Sequence, residues 1–234
     1  MLNIVSFSGG KDSTALLLMM LERGMRVDDI VCVDMGKEFP QMYEHWEQVE
    51  AYTGRKLTIL TLEKSYDYWM FHHVKTKGKN KGKCGYGWAT SRIRWCTKLK
   101  TQLIDRYLKS IGEPYQEFIG IAYDERERCK NKNYPLVDWG VTEAQALEYC
   151  YGRGFRWGGL YEHFHRVSCR CCPLKSLPEL QQIYEHYPEV WQELQDMDNR
   201  SYNQFRRDYS IADLTRKFSD VQGKFKVNFK PNSF

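Results

Sequence analysis

Apolar and polar positions in the first half of the chain alternate between short apolar runs and amphipathic stretches. The apolar runs are typical of buried strands and span residues 2–7, 30–34, 57–62 and 117–121. Helical spacing predicts helices at residues 13–23, from Pro40 to Gly54, and from a Thr97 cap to Gly112. Strands that alternate with helices predict an α/β fold, an open, mostly parallel twisted sheet with helices on both faces.

The pattern becomes helical and polar after Pro173. Capping boxes at residues 142–145 and 176–179 each predict a helix start, and Pro188 opens a further helix. We find no internal repeat. The sequence therefore predicts an α/β domain over residues 1–175 and a helical C-terminal segment over residues 176–234.

Composition narrows the functional classes. No run approaches the roughly 18 apolar residues of a membrane span, and the first strand follows Met1 directly, so we expect a cytoplasmic protein without a signal peptide or membrane partner. A net charge of +5 suits an anionic ligand but does not by itself indicate nucleic acid. In a reducing compartment, the eight cysteines favour metal ligands or reactive thiols over disulfides.

A glycine-rich loop at residues 8–13 joins the first strand to the first helix. Its sequence is Ser8-Gly9-Gly10-Lys11-Asp12-Ser13. Glycines allow a ligand to approach the backbone, and the first helical amides favour an anion. Lys11 adds a cation, whereas Asp12 suits phosphate only with Mg²⁺ between them. The alternative is an ordinary turn with a solvated Lys-Asp pair.

This loop resembles the PP-loop of the adenine nucleotide alpha hydrolase superfamily, and the chain as a whole resembles the phosphoadenosine phosphosulfate (PAPS) reductase family. The similarity covers roughly residues 2–175. The similar segments lie at residues 34–40 (Asp-Met-Gly-Lys-Glu-Phe-Pro), 94–100 (Arg-Trp-Cys-Thr-Lys-Leu-Lys), 120–128, 135–139, 160–161 and 169–173.

The resemblance implies an adenine nucleotide at the carboxyl ends of the strands. The residues expected to bind it are Ser6, Ser8, Gly9, Gly10, Lys11, Asp12, Ser13, Asp34, Gly36, Glu38, Arg94, Gly120 and Arg128. Lys11, Asp12 and Asp34 are the expected catalytic residues. The alternative for Asp34 and Glu38 is a solvated helix-entry turn, and for Arg128 an ion-pair patch with its acidic neighbours.

The cysteines predict a metal site. Cys169 and Cys172 have CxxC spacing, and Cys96 stands just before a predicted helix start, which favours its thiolate. The separation of Cys96 from Cys169 is similar to that in iron–sulfur adenylylsulfate reductases, although Trp95 replaces one of their paired cysteines. We expect a [4Fe-4S] cluster on these three cysteines, with Cys171, Cys84 or an open iron as the fourth position. A Zn²⁺ site including Cys84 and unligated thiols are the alternatives.

The stretch from Lys75 to Arg94 is rich in lysine and glycine and predicts a loop. It either closes over the nucleotide, contacts a polyanionic substrate, or is merely solvated.

Three functional hypotheses follow. In the first, ATP and Mg²⁺ adenylate an acceptor with loss of pyrophosphate, and sulfur delivered through the cysteines then displaces AMP. The second is a reductase that releases sulfite from PAPS or adenylylsulfate. Such enzymes carry a C-terminal cysteine nucleophile, and this chain has no cysteine after Cys172, which favours the first hypothesis. The third is a nucleotide-binding partner subunit without turnover. The sulfur acceptor (a nucleic acid is one candidate), a sulfur-donor or reductant protein and the oligomeric state stay open.

Overall fold

The computed structural model describes residues 1–78 and 80–227, with side chains through Asp220. Lys79 of the basic loop and residues 228–234 of the C-terminal segment lie outside the described residues. Four parallel strands form one sheet in the order β3-β2-β1-β4. The strands are β1 (Leu2–Ser6), β2 (Asp29–Asp34), β3 (Thr58–Thr61) and β4 (Tyr115–Ile119). The predicted α/β fold with a parallel sheet is confirmed.

Nine α-helices are found in the described part of the chain. They are α1 (Lys11–Glu22), α2 (Pro40–Thr53), α3 (Trp95–Ser110), α4 (Pro135–Asp138), α5 (Glu143–Gly152), α6 (Leu160–His163), α7 (Leu177–His186), α8 (Pro188–Arg200) and α9 (Ile211–Val227). Short 3-10 turns cover Tyr123–Arg128 and Trp157–Gly159, and a π-helical turn covers Tyr68–His72. Both predicted capping boxes are present, at the starts of α5 and α7.

One predicted helix start is wrong. Helix α3 begins at Trp95 rather than after a Thr97 cap, so Cys96 lies inside the first turn instead of just before it. The Trp95 side chain is 5% exposed, and its indole N–H donates to the carbonyl oxygen of Gly87 at 3.0 Å. Burial of this indole therefore accompanies the earlier start, which the sequence pattern around Thr97 does not reveal.

The chain divides into two compact units. The nucleotide-loop unit comprises residues 1–63 and 97–169 and contains the whole sheet, and the hairpin unit comprises residues 64–96 and 170–234. The second unit thus includes a segment from the middle of the predicted α/β domain. Within it, Asn203 accepts the backbone N–H of Trp88 at 2.8 Å, and the Trp88 ring packs edge-on against Phe205. Such contacts between segments far apart in sequence explain why the boundary predicted at residue 175 does not describe this division.

A buried histidine lies in the core under the start of α1. His45 on α2 is 2% exposed, its Nε2 is 3.0 Å from Thr14 Oγ1, and its ring stacks on Trp157 at 4.5 Å. Burial lowers its pKa to about 3 because an imidazolium would lose its hydration there. His45 is therefore neutral in the folded protein at all ordinary pH values.

Neutral His45 predicts a specific loss of stability in acid. Below about pH 6.5 the His45 side chain of the unfolded chain binds a proton, whereas in the folded protein it stays neutral until about pH 3. Between these pH values the contribution of His45 to the free energy of unfolding therefore falls by up to ~1.4 kcal/mol per pH unit. We expect His45→Gln to flatten the decline of the urea-unfolding free energy between pH 6.5 and 4. Loss of the ring packing lowers stability equally at every pH. The quantity to compare is therefore the slope of the unfolding free energy against pH. An unchanged slope would contradict a neutral buried His45.

Candidate functional site

A cleft of about 500 Å³ opens in the nucleotide-loop unit at the carboxyl ends of the strands. Its walls come from the ends of β1, β2 and β4 and from α3. The lining residues are Ser6, Phe7, Ser8, Ser13, Val31, Val33, Lys100, Thr101, Ile104, Asp105, Glu117, Ile119, Gly120, Ile121, Arg128, Lys130, Lys132 and Tyr134. The chain leaves β1 toward β2 on one side and β4 lies on the other, so the cleft sits at the switch point where open α/β sheets bind ligands.

The glycine-rich loop at residues 8–13, which we call the phosphate loop after its predicted ligand, is tightly held within this unit. Gly9 has a positive φ of 78°, and a Cβ there would lie 2.3 Å from the Trp46 indole nitrogen. The Trp157 indole N–H donates to the Gly9 carbonyl at 2.7 Å, and the Lys11 backbone N–H donates to the Tyr161 hydroxyl at the same distance. Ser8 and Ser13 place their hydroxyl oxygens 3.1 Å apart on the cleft lining. Two serine hydroxyls at the start of a helix suit a phosphate ligand.

The Lys11 side chain lies in an ion-pair network. It is 4% exposed, and its ammonium is 3.6 Å from both Asp12 Oδ2 and Glu143 Oε1. Arg166 and His165 also approach Glu143, at 3.2 and 3.5 Å. Neither Lys11 nor Asp12 is among the residues that line the cleft. The structure thus shows Lys11 paired with carboxylates, and its contact with phosphate stays a prediction.

Asp12 carries an unused acceptor. Its Oδ1 is buried without a hydrogen-bond partner among the described residues. Burial raises the pKa of this carboxyl, opposed by the charge of Lys11 and reinforced by that of Glu143. An unpartnered carboxylate oxygen beside a phosphate loop fits a hard divalent cation, and Mg²⁺ commonly takes one or two carboxylates plus phosphate oxygens and water. The residues present therefore fit the expected Mg²⁺.

Glu38 meets Lys100 and Cys169 in one cluster of the same unit. The Lys100 ammonium donates to Glu38 Oε1 at 2.9 Å, and the Cys169 sulfur lies 3.6 Å from that oxygen and 3.9 Å from Lys100 Nζ. Burial alone would lower the pKa of Lys100, but the charges of Cys169 and Glu38 hold this pKa above its ordinary value. Lys100 thus lines the cleft and also places its ammonium group beside Cys169. The sequence analysis did not predict this contact.

The remaining expected nucleotide residues lie in three places. Ser6, Gly120 and Arg128 line the cleft with Ser8 and Ser13. Asp34 ends β2, where its Oδ1 accepts the Gly36 backbone N–H at 2.6 Å and the Tyr43 hydroxyl at 3.0 Å, and neither Asp34 nor Gly36 is part of the lining. Arg94 belongs to the hairpin unit. The nucleotide-binding roles of all these residues, those on the cleft lining included, stay predictions.

Glu117 is a cleft residue that the sequence analysis missed. It is 8% exposed within β4, where it accepts the Ser6 hydroxyl at 2.7 Å and the Lys132 ammonium at 2.5 Å. A buried carboxylate of this kind needs partners. A charged residue inside a predicted buried strand was the available signal, and Glu117 stands at the first position of the run at 117–121.

The cysteines do not present a finished metal site. All eight lie within the described residues, and no disulfide joins any of them. In the part of the chain that the structure describes, no group of three or more His, Cys, Asp or Glu side chains is arranged to hold a metal ion. Cys169 belongs to the nucleotide-loop unit, whereas the other expected ligands, Cys84, Cys96, Cys171 and Cys172, belong to the hairpin unit. A [4Fe-4S] or Zn²⁺ site thus stays a prediction.

Comparison with protein families decides the classification. The model of the phosphoadenosine phosphosulfate reductase domain matches residues 3–175, most of the chain. The chain belongs to this family. The resemblance inferred from the sequence motifs is thereby confirmed. Membership establishes the family and not the reaction that this member performs.

Individual relatives are distant. The chain is 26% identical over 213 residues to "Uncharacterized protein MJ0066" of Methanocaldococcus jannaschii, and the match covers 83% of this chain and 41% of that protein. The chain spans less than half the length of the curated relatives it matches.

Two solved structures are similar to this one. The phosphate complex of PAPS reductase from Candida auris has a TM-score of 0.47 and 15% identity, over 72% of this chain and 82% of that one. The U34-tRNA thiolase NcsA from Methanococcus maripaludis, solved with its [4Fe-4S] cluster, has a TM-score of 0.44 and 10% identity, over 99% of this chain and 74% of that one. Among the described residues, no helix is long and apolar enough to span a membrane.

Proposed function

We propose that this PAPS reductase family member binds ATP with Mg²⁺ and adenylates an acceptor that then receives sulfur. The observation that carries the proposal is the cleft at the β1–β4 switch point, where Ser8 and Ser13 of the phosphate loop meet Gly120, the residue that follows β4. Its volume of about 500 Å³ lies in the range of small-ligand sites. Apolar residues such as Val33 and Ile121 offer a surface for the adenine ring.

In this proposal the nucleophilic oxygen of the acceptor attacks the α-phosphorus of ATP. The bond between that phosphorus and its bridging oxygen breaks, and pyrophosphate leaves with the electron pair. The Ser8 and Ser13 hydroxyls and the first amides of α1 donate to phosphate oxygens and stabilise the developing charge. Mg²⁺, held by Asp12, would neutralise phosphate charge when bound. A sulfur nucleophile, either sulfide or a thiol donor, then displaces AMP from the adenylated carbon.

Nucleotide binding tests the first half of the proposal. We expect the full chain to bind ATP with Mg²⁺ in equilibrium dialysis, and Ser8→Ala/Ser13→Ala to weaken binding at least about tenfold, since each hydrogen bond to a charged group contributes about 1.5–3 kcal/mol. Ser110→Ala, an exposed serine at the end of α3, is the matched control and should bind ATP as the unchanged protein does. The adenylation proposal further requires AMP and pyrophosphate from ATP. Sulfite release from PAPS with a thiol reductant, without any AMP from ATP, would favour the reductase instead.

We also propose that the cysteines hold an iron–sulfur cluster. Anaerobic purification followed by iron, sulfide and zinc analysis should give about four irons and matching sulfide per chain, or about three if an open iron is lost. Cys96→Ala, Cys169→Ala and Cys172→Ala should each remove the iron, whereas Cys129→Ala, outside the expected set, should keep it. About one zinc and no iron would instead make the cysteines a structural site.

A further inference from the structure

The positive charge of this protein is concentrated in one short segment. Residues 64–96 contain eight Lys and Arg against a single acidic residue, Asp67, whereas the rest of the chain holds 27 Lys and Arg against 29 Asp and Glu. The net charge of +5 therefore arises entirely from this segment, and the remainder is slightly acidic. Such a concentrated field attracts polyanions far more strongly than the modest overall charge suggests.

The structure folds the lysines into a hairpin. Val74 and Cys84 form an antiparallel bridge, and the Lys75 backbone N–H donates to the Lys83 carbonyl at 3.0 Å. We call the described residues of this turn, 74–78 and 80–84, the lysine hairpin. Lys77, Lys81 and Lys83 are exposed on it. Three ammonium groups within seven residues suit successive phosphates of a backbone rather than one small anion.

A stack of aromatic rings lies at the base of the lysine hairpin. Trp69 and Tyr86 stack with ring centroids 6.1 Å apart, and His73 packs tilted against both, at 4.6 Å from Trp69 and 4.9 Å from Tyr86. Tyr86 also stacks on Trp95 at 5.5 Å. Trp69, His73 and Tyr86 are half-buried, so each keeps part of its ring accessible. Gly85 makes the return from the hairpin possible, because a Cβ there would lie 2.2 Å from the Met70 carbonyl oxygen.

Cations and aromatic rings are interleaved beside this stack. Lys75 Nζ lies 4.5 Å from the ring centre of Tyr202, which is 60% exposed and donates its hydroxyl to the Tyr86 carbonyl at 2.8 Å. Arg200 lies 4.0 Å above the Phe71 ring. Exposed aromatic rings next to a track of cations are the combination that binds unpaired bases and their phosphates together.

We propose that this surface of the hairpin unit binds single-stranded nucleic acid. The lysine hairpin contacts the phosphates, and the exposed face of Tyr202, with the accessible edges of the ring stack, contacts the bases. An acidic polypeptide would use the charge but not the rings, and a duplex would hide its base faces from them. The proposal concerns the hairpin unit alone and does not depend on the adenylation chemistry proposed above.

Fluorescence anisotropy with labelled single-stranded probes tests the proposal. A 20-nucleotide poly(U) RNA and a 20-nucleotide poly(dU) DNA serve as the two arms. They differ only in the sugar, so a preference between them tells which sugar the surface favours. We expect Lys77→Gln/Lys81→Gln/Lys83→Gln to weaken binding roughly tenfold or more at low salt and to reduce the slope of log K against log salt by about 2, as expected for three lost phosphate contacts. Tyr202→Ala should weaken binding roughly tenfold through lost stacking.

A second triple variant tests whether the loss of affinity depends on the position of the charges or only on their number. Lys56→Gln/Arg106→Gln/Lys109→Gln removes the same charge from exposed positions of the nucleotide-loop unit and should leave affinity nearly unchanged. Equal losses in the two triples would overturn the proposal. So would equal affinity for a 20-base-pair duplex, displacement of the RNA by polyglutamate at the same charge concentration, or no binding of either strand. Circular dichroism of each variant checks that it is folded.

Discussion

Gly120→Ala should lower the affinity for ATP at least about tenfold and destabilise the fold by ~1–3 kcal/mol, the usual cost of overpacking a filled site. A Cβ at Gly120 would lie 2.6 Å from the Ser13 backbone nitrogen and 2.7 Å from the Ser13 Cα. Both contacts are with backbone, so no side-chain rotation relieves them. The first turn of α1 must therefore move away from β4, and the Ser13 hydroxyl moves with it.

Gly152→Ala is the matched control for Gly120→Ala. Gly152 ends α5, and a Cβ there would meet nothing within 4 Å. The control should keep full ATP affinity and gain a few tenths to about 1 kcal/mol of stability, since alanine restricts the unfolded chain more than glycine does. Equilibrium dialysis and urea unfolding measure both effects. Unchanged ATP affinity in Gly120→Ala would show that the start of α1 is not the nucleotide site.

Lys11→Met should cost about 3 kcal/mol of unfolding free energy, because it leaves buried carboxylates without their central cation. Lys11 is 4% exposed and lies 3.6 Å from both Glu143 and Asp12. Lys11→Met/Glu143→Gln should recover a large part of that loss, since the double variant removes the buried carboxylate charge as well. The non-additivity of the two changes, measured by urea unfolding, gives the coupling between them.

The exposed pair of Lys56 and Glu50 is the control for this double-mutant cycle of Lys11 and Glu143. Its ammonium and carboxylate are 2.6 Å apart, but the Lys56 side chain is 89% exposed, so the same cycle there should give a coupling of only about 0–1 kcal/mol. ATP affinity separates the two roles of Lys11. A large loss of ATP affinity in Lys11→Met, with stability unchanged, would make Lys11 a phosphate ligand rather than the centre of a buried network.

The sheet was predictable from sequence because local pattern decides it. Apolar runs of five or six residues separated by amphipathic helices allow few topologies other than a parallel sheet with crossovers. Helix starts were predictable where a side chain of the same segment satisfies the first amides, as Thr142 and Ser176 do. The start of α3 was not predictable in this way, because α3 begins at Trp95, whose burial depends on tertiary packing.

Among the candidate site residues, too, those that belong to local motifs were predicted and those that depend on tertiary contacts were not. Ser6, Ser8, Ser13, Gly120 and Arg128 were named from motifs and line one cleft, because the ends of adjacent parallel strands meet at the same edge. Glu117 and the pairing of Lys100 with Cys169 were missed. Each depends on contacts between residues 15 to 111 positions apart in sequence, and no helix or strand periodicity specifies such a partner.

The sequence alone determined the strands, the position of the glycine-rich loop between β1 and α1, the family and the concentration of charge in residues 64–96. These properties depend on residue order over short distances or on composition. Only the tertiary structure decided which carboxylates surround Lys11, which hydroxyl meets its backbone N–H from 150 residues away, and which aromatic rings lie beside the lysines. The physical reason is that a buried or half-buried polar group takes its partners from whatever segment folding brings within about 3–4 Å, and those partners are fixed by packing rather than by neighbours in sequence.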